Sequence, residues 1–106
     1  MPDSLHIDDL YTGFENIPAD SIVSRTVLDT DQIKAVAFGF AQGQELSEHT
    51  ASMPAVIHFL KGDAHVVLGK QEIDAVPGTW VHMPASLSHS ITAKTEMVML
   101  LILLKP

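Results

Sequence analysis

Residues 43–62 read GQELSEHTASMPAVIHFLKG, and this stretch decides the fold. Glu45–Thr50 is polar and extended, Ser52-Met53-Pro54 is a break, and Ala55–Leu60 is a second extended run carrying β-branched and aromatic residues. Lys61-Gly62-Asp63 then has the composition of a hairpin turn. The sequence predicts two short strands here, separated by a loop. His49 lies at the end of the first, with Ala51 and Ala55 following at two and six positions.

The same rhythm extends in both directions. Upstream, Ile22, Val23, Val27 and Leu28 mark a strand that stops at Asp29-Thr30-Asp31, and Ile33–Ala41 (IKAVAFGFA) marks another. Downstream come His65–Leu68, Gln71–Val76, Thr79–Met83, Ser88–Ala93 and the wholly apolar Met97–Leu104 (MVMLLILL), separated by Gly69-Lys70, Pro77-Gly78, Pro84–Leu87 and Lys94-Thr95. No segment keeps a 3.6-residue apolar period for more than a turn or two. Many short strands with Gly and Pro punctuation predict an all-β sandwich or barrel. Residues 1–20 are polar and turn-prone and are expected to form an arm with a short helical turn, leading into a barrel over residues 21–106.

Composition narrows the classes. A chain of 106 residues with 46% hydrophobic and 18% charged side chains is expected to be one globular domain, residues 1–106. Thirteen acidic residues against six basic ones give a net charge of −7, and no Lys/Arg cluster exists, which argues against nucleic acid and anionic membranes as partners. With no cysteine, disulfides and thiolate chemistry are absent, and any metal must be held by nitrogen and oxygen. The opening MPDSLHIDDL has neither the basic start nor the apolar core of a secretion signal, and Met97–Leu104 is far shorter than the ~20 residues that span a bilayer. A buried strand and a cytoplasmic location are the expectations.

A second stretch, residues 78–93 (GTWVHMPASLSHSITA), makes the pattern specific. Gly43 is followed after five residues by His49, and Ala55 after six residues by Gly62. Gly78 is followed after five residues by Pro84, with Ser86 two positions on and His89 beyond it. In spacing these two stretches resemble the paired motifs of the cupins, small double-stranded jelly-roll barrels. The chain is most similar to RmlC-like, conserved-barrel cupins of one domain, with HFLxG in the first motif and WxHMP in the second. The resemblance implies an all-β double-stranded β-helix. It also implies metal ligands at four positions, usually two histidines and a glutamate in the first motif and a histidine in the second. Here those positions are His49, Ala51, Ala55 and His89, while Ser86 and Ala93 stand where the family has glycine and asparagine. Two imidazoles alone bind Fe, Mn, Ni or Zn weakly, because firm retention wants three or more protein ligands.

The remaining candidates follow from strand alternation. Glu45 and Ser47 share the parity of His49, so Glu45 is the nearest replacement carboxylate. With Ala55 pointing inward, Ile57 and Phe59 follow it, as do Val81 and Met83 on the neighbouring strand. With Leu87 and Ile91 they would line an apolar pocket whose polar groups are His49 and His89. Val56, His58, Leu60, Trp80 and His82 then face outward. A one-residue bulge would reverse this and bring His58 and His82 inward as additional metal ligands. His65 is read as a strand-surface residue and His6 as part of the arm.

Three functions are compatible with these residues: a small-molecule-binding barrel with a partial, exchangeable metal site; a mononuclear metal enzyme of the dioxygenase, isomerase or decarboxylase kind; and a structural or interaction module. The outward residues Val56, His58, Leu60, Trp80 and His82, joined to one face of Met97–Leu104, form an apolar surface larger than a soluble monomer usually tolerates, so a homodimer is expected.

Overall fold

A computed structural model of the protein describes residues 3–106. Met1 and Pro2 of the expected arm lie outside the described residues. Within them are nine strands: β1 (Ile22–Asp29), β2 (Ile33–Phe40), β3 (Glu45–His49), β4 (Ala55–Lys61), β5 (Ala64–Leu68), β6 (Gln71–Ala75), β7 (Trp80–Met83), β8 (His89–Ala93) and β9 (Met97–Leu104). They form two sheets, ordered β1-β2-β9-β4-β7 and β3-β8-β5-β6, and every pairing is antiparallel. The protein is an all-β jelly roll.

No described residue is helical, which corrects the expected helical turn of the arm. Instead the arm makes two overlapping tight turns. The amide of Thr12 donates to the Asp9 carbonyl and that of Phe14 to the Tyr11 carbonyl, while the Asp9 carboxylate takes the Tyr11 amide. Gly13, at φ +95°, then redirects the chain before a third helical bond can form.

The inner faces of the sheets meet in one core, where Phe40, Ile57, Phe59, Ile91, Met97 and Met99 are all but inaccessible. β9 explains its own lack of alternation. Met97, Met99, Leu101 and Leu103 point to this core, whereas Val98 and Leu100 belong to a second cluster on the outer face. That second cluster is built by the arm: Phe14 and Ile17 pack on Ala37, Ala41 and Val98, with Val23, Val27, Leu60 and Leu100 around them.

Gly39 makes this possible. A Cβ at this position would stand 2.6 Å from Phe14 Cδ1 and 2.7 Å from Ile17 Cδ1, so the arm can lie on β2 only because this residue has no side chain. Arg25 holds the arm down, donating to the Thr12 and Leu10 carbonyls with its guanidinium 5.8 Å from the centre of the Phe14 ring. The Tyr11 hydroxyl donates to the Leu60 carbonyl.

The registers place one row of residues across each outer face. On the five-stranded sheet the row is Arg25, Ala37, Leu100, His58 and Trp80. On the four-stranded sheet it is Glu45, Thr92, His65 and Asp74.

Candidate functional site

His49 is the last residue of β3 and His89 the first of β8, and the two are register partners. Their side chains therefore leave the sheet on the same side, with ring centroids 4.1 Å apart and ring planes at 60°. They stand side by side on neighbouring strands of one sheet, at the end of the barrel where β3 runs into the 50–54 loop and the 84–88 loop runs into β8. These loops are tied by the Ser86 amide, which donates to the Ala51 carbonyl at 2.7 Å. Ser86 adopts φ +69°, the left-handed backbone that glycine takes without cost, so the motif's glycine position keeps its geometry without its residue.

Both rings are oriented in the same way. Nδ1 of His49 donates to the Ser47 carbonyl at 2.9 Å, and Nδ1 of His89 donates to the Leu87 carbonyl at 3.0 Å. A carbonyl only accepts, so each Nδ1 carries the hydrogen, and in the neutral ring the lone pair lies on Nε2. His89 is buried and His49 is exposed, which makes one ring part of the wall and the other part of the rim. Beside them the Ser88 hydroxyl donates to the Glu48 carboxylate at 2.5 Å, joining β3 to the approach of β8.

Alternation along β3 fails at one point. The register shifts between Leu46 and His49, so Ser47 and Glu48 together occupy the space of one residue. Leu46 consequently packs on the core opposite Ile91, and Glu45 pairs with Thr92 on the outer face, exposed. Glu45 does not stand beside His49 as a carboxylate ligand. The signal was Leu46 itself, the one apolar side chain in Glu45–His49 and hence the one that burial selects.

His58 and His82 also stay away from the pair. β4 and β7 run in unbroken register, Val56 against His82 and His58 against Trp80, with Ile57 and Val81 buried between them. Without a bulge in this pair both histidines remain on the outer face. Among the described residues no group of three or more His, Asp or Glu is arranged to hold a metal ion.

Two further expectations are corrected. Ile57, Phe59, Val81, Met83 and Ile91 are buried against one another in the core, with Leu87 packed on its edge, rather than lining an opening. Phe40, Met97 and Met99 fill the interior between them. A hollow of about 470 Å3, open to solvent, lies instead outside the barrel, beside the arm. Leu60 belongs to the cluster covered by the arm and not to the uncovered outer surface with Val56, His58, Trp80 and His82.

On the four-stranded sheet His65 lies between two carboxylates, Nε2 at 3.0 Å from Glu72 and Nδ1 at 3.3 Å from Asp74. Hydrogen bonding to Asp74 and then Glu72 raises its pKa above the ordinary histidine value. Lys94, 2.6 Å from Asp74, is the main cause of that carboxyl's lowered value, with His65 second.

No protein-family model matches the chain, and no curated protein matches it in sequence. Solved structures do. A cupin superfamily protein from Desulfitobacterium hafniense superimposes with a TM-score of 0.85 at 25% identity, over 100% of this chain and 95% of that one. An RmlC-like cupin from Desulfovibrio desulfuricans gives 0.80 at 27% identity, over 96% and 97%. The fold is that of a small cupin domain. A conserved protein of unknown function from Streptococcus pyogenes is similar to this cupin to the same degree, with a TM-score of 0.85 and 26% identity over 99% and 91%. Within the cupin barrel, Ala55 is buried on β4 opposite Met83 and Leu103, so its position is packed with apolar neighbours.

Proposed function

We propose that this cupin binds a small molecule at the loop-lined end of its barrel, with His49 and His89 as the polar groups that orient it. The observation that carries the reading is the pair itself: two rings 4.1 Å apart, each with Nδ1 committed to a backbone carbonyl and Nε2 left for a ligand. Two adjacent imidazole nitrogens can accept hydrogen bonds from a hydroxyl or amine and can take a proton from a bound ligand. They can also supply two of the donors that a divalent ion such as Fe, Mn, Ni or Zn requires.

The residues present fit an exchangeable ion and do not fit a retained metal centre, because Ala51 and Ala55 carry no donor and no third ligand joins the pair among the described residues. The mononuclear metal-enzyme alternative needs donors that these alanines do not supply. The test is metal analysis of protein purified without chelator or affinity tag, beside His49→Ala. We expect sub-stoichiometric metal in the wild type, lost on dialysis against EDTA and absent from the variant. Stoichiometric metal that survives EDTA would overturn the reading. Imidazole 15N shifts test the pair independently, with both rings expected as Nδ1–H tautomers.

We infer in addition that a second copy of the chain covers the part of the outer face that the arm leaves open. Trp80 is 61% exposed there and Leu104 37%, alongside Val56, His58, Ile102 and His82. Burying an apolar patch of this kind against its own copy is the simplest closed arrangement.

A further inference from the structure

We propose that the protein carries a second small-molecule site, outside the barrel, in the cavity between the arm and the outer face of β1 and β2, and that it takes a small apolar molecule bearing an amine or hydroxyl. This site is independent of the histidine pair. Its volume of about 470 Å3 falls within the range of small-ligand sites, roughly 300–1,000 Å3. The hollow is open to solvent along the exposed residues Asp3 and Leu5, so a ligand can enter it without unfolding the barrel.

The floor comes from a local irregularity of the sheet. The β1–β2 register shifts between Thr26 and Leu28, which puts the consecutive residues Val27 and Leu28 on the same side of the strand. Next to them is Ala35, the register partner of Leu28, whose short side chain leaves the floor recessed. The roof is Leu5, Ile7 and Leu10.

The arm is firmly tied from Leu10 onward, through Arg25, Tyr11 and the Phe14–Ile17 cluster. Among the described residues, Asp3–Asp8 make no hydrogen bond to the barrel. Of the three roof residues only Leu10 is held to β1 by a hydrogen bond, so Leu5 and Ile7 extend from an anchored base.

The lining also defines the ligand's polarity. Among the described residues it contains no Lys, Arg or His, and its one ionisable side chain is Asp3. The Thr30 hydroxyl is already committed, donating to the Ile33 carbonyl and accepting from the Gln32 and Ile33 amides. A carboxylate on the wall of a largely apolar hollow attracts a cationic or hydrogen-donating head and repels an anionic one.

Calorimetric titration with octylamine, 1-octanol and octanoate tests this. Octylamine and octanol are expected to bind with one-to-one stoichiometry, and octanoate more weakly. Ala35→Leu, which fills the floor, should weaken octanol binding about tenfold while circular dichroism reports an intact fold. Asp3→Lys, at an exposed position, should reverse the order of amine and acid, each by about threefold, and keeps the test decisive if Ala35→Leu fails to fold. Equal affinity for all three probes would overturn the proposal. So would binding abolished by His49→Ala or Trp80→Glu instead, which would put the probe in the barrel or on the outer patch.

Discussion

The two sheets of this barrel share a core but turn opposite kinds of surface outward. Across the four-stranded sheet the outer row is Glu45, Thr92, His65 and Asp74, which water can solvate and neighbouring charges can pair. Across the five-stranded sheet it is Arg25, Ala37, Leu100, His58 and Trp80, which for most of its width water cannot satisfy. One end of that row lies under Phe14 and Ile17; the other ends at a tryptophan in solvent. The difference teaches that a sheet's outer face is specified by what will cover it. Where a cover exists in the chain, the strand beneath it gives up even its side chain, at Gly39.

The covered end should be the most sensitive. Phe14→Ala removes the largest side chain of the arm cluster and is expected to cost about 3–5 kcal/mol, read as a lower urea midpoint. An unchanged midpoint would mean that the arm rests on the sheet without stabilising it. Gly39→Ala attacks the same contact from below. Its added methyl meets Phe14 and Ile17, and the expected loss is about 1–3 kcal/mol, although alanine normally suits a strand better than glycine. If Gly39→Ala were stabilising, the close approach of arm and strand would be wrong.

The uncovered end should respond in association rather than in folding. Light scattering of the wild type at micromolar concentration is expected to give a mass near twice 11.5 kDa, and Trp80→Glu should lower it towards one chain. Because Trp80 is exposed, the substitution should change protomer stability by no more than about 0.5 kcal/mol. A monomeric wild type would leave that end of the row bare in solution.

The polar face should give the smallest effect and a pH dependence of definite sign. His65 is raised by Asp74 and Glu72, so its contribution is fully present below the ordinary histidine value and lost as pH climbs through the raised one. Wild type should therefore exceed His65→Gln in melting temperature at about pH 5.5 and match it at about pH 8.5. An advantage that grew with pH would contradict the carboxylate pairing.

Most of the fold was legible in the sequence because turn residues and period-two alternation are local signals. The Gly43–His49 and Gly78–His89 spacings and the apolar runs between breakers were enough to draw the strands, and they brought His49 and His89 together. What escaped was whatever breaks the count. A bulge adds one residue, so Leu46 took the inward place that counting from His49 gave to Glu45 and Ser47. The arm escaped for another reason. Phe14 and Ile17 are two apolar residues in a polar stretch, and their partners Gly39 and Val98 are far along the chain, where no local pattern connects them. The cavity follows from both failures, a bulge in β1 under a roof drawn from the arm.

The position of β9 has a consequence for how the chain comes to be folded. It is the latest strand in chain order, yet it lies at the centre of its sheet, between β2 and β4. While the ribosome is still holding residues 97–104, β2 and β4 have no common neighbour, and each presents an open edge. Closure of the sheet must therefore wait until synthesis has passed this segment, and a nascent chain stalled before Met97 would carry two unpaired, sticky edges in need of protection.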